Sequence, residues 1–185
     1  MNRPSVSEPL AQLFDMEVGR FRYSYWRNLT IGVWAGQATL SAMQRVGRVS
    51  QLMVKSFPEG HSNVAFVLDG TPAPTPEAQA ILTHVFDTRN SDLACTAVVV
   101  EGTGFWASSM HSAITGMRLA ASGSMRLRLH STIDEVVKWL PAAHKVRTGI
   151  ELDPEHLTRI LQTARDLAAT GTPAEQAAEQ RGARA

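Results

Sequence analysis

At 185 residues, 44% apolar and 19% charged, the chain is sized for one globular domain with a sizeable core plus tails. Its 18 basic and 17 acidic side chains leave a formal net charge of +1, which excludes an overall field for nucleic acid or an anionic membrane surface. The single cysteine, Cys95, excludes an intrachain disulfide and a cysteine-based zinc cluster, and fits a reducing, cytoplasmic compartment.

Residues 1–12 read as a flexible leader, because Met1–Leu10 holds two prolines and a glutamate and lacks the apolar stretch of a secretory signal. From Phe21 to Trp34 two strands are expected with Arg27-Asn28 as their turn. Phe21, Tyr23 and Tyr25 alternate with Arg22, Ser24 and Trp26, and Leu29, Ile31 and Val33 with Thr30, Gly32 and Trp34. A helix follows from about Ser41 to Phe57, with Met43, Val46, Val49 and Leu52-Met53 at helical spacing and Pro58-Glu59-Gly60 as its stop.

Val64–Leu68 is continuously apolar, as a strand covered on both faces requires, and Asp69-Gly70 ends it. Thr75-Pro76-Glu77 then offers an N-cap, a proline at the first helical position and an acidic first turn, opening a helix that runs to about Arg89-Asn90. Leu93–Val100 is a second central strand, which places Cys95 in the core. A helix over about Phe105–Ala121 is ended by Gly123, and the alternation of Met125, Leu127 and Leu129 with Arg126, Arg128 and His130 gives a half-exposed strand. Ser131-Thr132 cap a helix over Asp134–Leu140 that Pro141 ends. Asp153-Pro154 open a last helix, over 153–169, whose Leu157, Ile160, Leu161, Ala164 and Leu167 share one face. The tail, 170–185, has few large apolar groups and reads as disordered. The fold class is therefore α/β, a mixed sheet of about five strands with covering helices, and Val64–Leu68 central.

The order ββαβαβαβα resembles the STAS domain of bacterial anti-sigma-factor antagonists and their STAS-like relatives. Leu29–Thr39 is similar to that family's second strand and its glycine turn, Val64–Asp69 to its central strand ending in aspartate, and Ser131–Leu140 to its closing helix with a Trp-Leu pair. The resemblance implies a STAS-like domain over 13–148, with 149–169 as an added amphipathic helix. It also implies a non-enzymatic cytoplasmic signalling module that binds a protein partner and needs no cofactor. Where phosphorylated antagonists carry an Asp-Ser-Ser-Gly-like stretch, this chain has Thr71-Pro72-Ala73-Pro74-Thr75-Pro76-Glu77, so the switch loop would rest on Asp69, Thr71 and Thr75.

Other residues set alternatives beside that reading. Gly102-Thr103-Gly104-Phe105-Trp106-Ala107 matches a G-x-G-x-x-A loop between strand and helix, so an anion or nucleotide site, and with it a small enzyme, is the second function. Bulky Phe105 and Trp106 oppose it. A carrier of a lipid or other apolar ligand is the third, because Met43, Met53, Met110 and Met117 can line an adaptable pocket. The six histidines show no H-x-H or H-E-x-x-H spacing for a metal, and no G-x-S-x-G elbow marks a serine nucleophile. Arg126, Arg128 and His130 read as an outward row, either solvated or offered to an acidic partner. Leu157, Ile160 and Leu161 must be covered, by the domain's own flank or by a second copy in a homodimer.

Overall fold

The computed structural model describes residues 11–17, 21–85, 93–120 and 126–170. Six strands make one sheet in chain order: β1 (Ala11–Glu17), β2 (Phe21–Trp26), β3 (Leu29–Trp34), β4 (His61–Val67), β5 (Leu93–Val100) and β6 (Leu127–His130). The helices are α1 (Leu40–Ser56), α2 (Pro76–Val85), α3 (Gly104–Ala120), α4 (Ile133–Thr148) and α5 (Pro154–Thr170). β1, β2 and β3 pair antiparallel, and β3 to β6 run parallel. The class is the expected one, with a sixth strand, β1, that takes in the last two residues of the expected leader and the stretch just after it, where the sequence suggests no element. That strand carries Asp15 and Glu17 and pairs with β2 through two register shifts, so period two is blurred in its sequence.

The parallel strands advance one place at a time in one direction. Crossovers of one hand then put every connecting helix on the same face. α1, α2 and α3 accordingly share one core with Phe21, Tyr23, Trp34, Ala65 and Val98, while α4 and α5 cover the other face over Leu29, Ile31, Phe66 and Val99. β4 lies between β3 and β5, and β5 is buried along its whole length, including Cys95 at 1% exposure. Trp26 and Trp34, which lie on opposite phases, are both buried, one under each layer.

Caps fall where the sequence puts them. Thr75 Oγ1 accepts from Ala78 N at 3.3 Å, Thr132 Oγ1 from Glu135 N at 3.3 Å, and Asp153 Oδ2 from His156 N at 2.7 Å. α4 corrects the sequence reading, because it passes through Pro141 and ends eight residues later at Gly149, φ 70°, whose N–H reaches Lys145 O at 2.8 Å. A mid-helix proline costs roughly 3 kcal/mol. Leu140, His144 and Thr148, all buried on one side of that helix, offset it. Leader residues 1–10, the α2 end proposed at Arg89-Asn90, the Gly123 stop, Met125 and the tail from 171 lie outside the described residues. Among the described residues no helix is long and apolar enough to cross a membrane.

Candidate ligand chamber

Because β3, β4 and β5 are parallel neighbours, their carboxyl ends share one edge of the sheet, and the loops that follow them meet there. Thr71 ties these loops together: its Oγ1 donates to Trp34 O at 2.9 Å, its N–H to Leu68 O at 3.1 Å, and its carbonyl accepts from Trp106 Nε1 at 3.0 Å. Gln37 Nε2 donates to Ala73 O at 3.4 Å and Gln79 Nε2 to Pro74 O at 3.1 Å. On the outer side Arg165 of α5 holds Glu101 by two hydrogen bonds, each 3.0 Å.

Beneath this edge, between the sheet and the α2–α3 pair, lies a cavity of about 80 Å³. Ala65, Val67, Val98 and Leu127 form its floor; Leu82, Met110, Ile114 and Met117 form its walls; Trp34, Pro72 and Pro74 stand at its rim. Thr71 and Thr83 supply the side-chain hydroxyls of the lining, and both are committed, Thr71 to Trp34 O and Thr83 to Gln79 O at 2.8 Å. The chamber wall therefore has hydrocarbon character. Of the four methionines singled out as pocket-forming, Met110 and Met117 line it, while Met43 and Met53 are buried under α1.

The structure brings together the two loops read separately from sequence. Asp69 lies against Gly102, where a built Cβ would overlap its carboxylate, and Thr71 is joined to the start of α3 through Trp106. Gly102 (φ 100°) and Gly104 (φ 75°) both take the positive-φ backbone that favours glycine. The carboxylate packed on Gly102 opposes an incoming phosphate, and Phe105 stands 89% exposed instead of closing over a ligand. Thr71 is buried with its hydroxyl engaged, which disfavours it as a modification site. Thr75, half-buried, serves as the α2 cap.

The basic row is split. Arg126 and Arg128 are exposed at the β6 edge, and the Arg128 guanidinium lies 5.8 Å from the Trp139 ring centre. His130 is buried, with its ring centre 5.4 Å from that of Trp139, so it does not belong to an outward row. Burial and then the neighbouring Arg128 charge push its pKa down. Leu157, Ile160 and Leu161 are not partner surface either, since they are buried against the sheet with Leu29, Ile31 and Val33.

Sequence reasoning missed a polar trio on the α4–α5 face. Ser62 Oγ lies 2.8 Å from His144 Nδ1 and 3.2 Å from Cys95 Sγ, and all three residues are buried. Burial, then the Arg27 and His61 charges, push the His144 pKa down to about 4, and burial pushes the Cys95 thiol up to about 11. A neutral imidazole and a protonated thiol without solvent access make a packed network rather than a nucleophile. The signal was Leu140, His144 and Thr148 at four-residue spacing, hidden by reading Pro141 as a stop. Comparison with protein-family models and with curated proteins gives no match.

Proposed function

We propose that this protein is a non-enzymatic, STAS-like cytoplasmic module that works by binding, and that its ligand is an apolar molecule taken into the chamber under α3. The observation that carries the reading is the chamber lining, in which apolar side chains surround the cavity and both hydroxyls are already bonded. α3 has the character of a movable wall: Phe105 and Leu119 on it are 89% and 71% exposed, and Met110 and Ile114 are its buried anchors. Supporting the STAS-like assignment is the order ββαβαβαβα, carried by one sheet with an added antiparallel edge strand. In such a module the filled or empty chamber sets how the neighbouring loops, Asp69–Thr75 and Gly102–Gly104, meet a protein partner.

A dye whose fluorescence rises in apolar surroundings tests this. Saturable binding at one site is expected, lost in Ala65→Leu, which fills the floor, and kept in Leu52→Ser, which removes an exposed leucine of α1. Binding that does not saturate, or that Ala65→Leu leaves unchanged, overturns the reading.

A further inference from the structure

The apolar lining leaves open how a ligand would be held in one orientation. The floor of the chamber continues down two strands into polar residues. Side chains two apart on a strand share a face, so Asn63 follows Ala65 on β4 and Thr96 follows Val98 on β5. Asn63 and Thr96 are register partners across the β4–β5 ladder, and Thr96 is also paired with Leu127 of the chamber floor. Asn63 demonstrably faces this layer, since its Oδ1 accepts from Tyr23 Oη at 3.1 Å and from Thr30 Oγ1 at 3.0 Å.

Those two bonds orient the amide and use its oxygen, leaving Asn63 Nδ2 without a partner; Thr96 Oγ1 beside it also has none. The residues are 2% and 0% exposed, so neither atom is solvated from outside. Buried donors without partners are costly, and two side by side next to a cavity point to an acceptor that arrives from it. Asn63 and Thr96 lie one step behind the cavity lining, and the floor residues that follow them on the same face of their strands, Ala65 and Val98, stand between them and the open volume.

The charge of that acceptor follows from its surroundings. Among the described residues the chamber lining holds no Lys, Arg or His, and Tyr23, whose hydroxyl completes the polar group, is kept protonated by burial. A carboxylate or phosphate buried there would have no counter-charge. A neutral oxygen fits, because Asn63 offers N–H donors and the Thr96 hydroxyl can donate or accept.

We propose that the chamber's ligand is a neutral, mostly hydrocarbon molecule ending in one carbonyl or hydroxyl oxygen, which reaches past Ala65 to be held by Asn63 Nδ2 and Thr96 Oγ1. This rests on the apolar-ligand reading and adds to it a polar terminus and a specificity pair.

The test is competition against the chamber-bound dye with a ketone, a primary alcohol, an alkane and a carboxylate of equal chain length. The ketone and the alcohol are expected to displace the dye at concentrations at least tenfold below the alkane and the carboxylate. Thr96→Val, which keeps the side-chain shape and deletes the unpartnered hydroxyl, is expected to erase about tenfold of that preference. The same variant should leave the alkane unaffected and the melting temperature unchanged or raised. If all four compounds compete equally in the wild type, or if Thr96→Val weakens alkane and ketone alike, the polar-terminus inference is wrong while the chamber reading stands. If none of them competes and the dye itself does not saturate, both fall.

Discussion

Ser62 Oγ meets His144 Nδ1, while His144 Nε2 has no partner among the described residues, and this burial gives the stability of the protein a definite pH dependence. The imidazole has a pKa of about 4 when folded, against about 6.5 in an unfolded chain. Below pH 6.5 the unfolded state therefore binds the extra proton, and stability falls as pH drops from about 6.5 to about 4, being fully present above that window. The loss amounts to at most about 3 kcal/mol, and His130, shifted the same way, adds to it. A melting curve series from pH 8 to pH 4 should show the decline, and His144→Leu should flatten part of it; an identical slope in the variant would remove His144 as its source. A second residue-scale expectation concerns Gly102, whose φ of 100° and contact with the Asp69 carboxylate leave no room for a side chain. Gly102→Ala should cost about 1–3 kcal/mol and lower the melting temperature by about 3 °C or more. Gly104→Ala meets no neighbour, although its φ of 75° still strains it, and should cost less. Equal melting temperatures for the two variants would refute the Asp69 contact.

Among elements, α5 is the one whose apolar stripe asked for an explanation, and the sheet supplies it. Leu157 and Leu161 are at 0% exposure over β2 and β3, and Arg165 clamps the far end to Glu101. Leu157→Asp with Leu161→Asp buries two unpaired charges, so the melting temperature should collapse. Light scattering on any folded fraction should return the mass of the unmutated protein; a mass that falls by half with stability intact would restore the homodimer. The same elements show what the sequence could convey. β4 and β5 were legible because strands covered on both faces carry continuous apolar runs, as Val64–Leu68 and Ala97–Val100 are. β1 was not, since its place in the sheet comes from backbone pairing with β2 rather than from an apolar repeat. The run of α4 past Pro141 was hidden because local proline chemistry argues for a stop, and only the packing of His144 and Thr148 overrides it.

For the whole molecule, the site was half legible. The loops after β4 and β5 carried signals of their own, but nothing in the sequence places Asp69 against Gly102, a juxtaposition created by parallel strands ending on one edge. The chamber was less legible still. Ala65, Val98, Ile114 and Leu127 read as core, and whether such residues touch or enclose a gap depends on how far α3 stands from the sheet. That distance has a measurable consequence. α1 is anchored by five buried residues, Ala42, Met43, Val46, Val49 and Met53, whereas α3 has Met110 and Ile114 as its buried apolar anchors among the described residues. Local opening is cheapest where buried apolar contacts are fewest. Backbone amides of α3 should therefore exchange hydrogen well before those of β4 and β5, and ahead of α1. A chamber ligand should slow exchange in α3 and α2, which wall the cavity, and leave α5 on the opposite face unchanged. Mass-resolved exchange with and without the ketone distinguishes the possibilities. If α3 is as protected as β5 before ligand is added, or if protection appears on α5, then α3 is not the movable wall of a binding chamber.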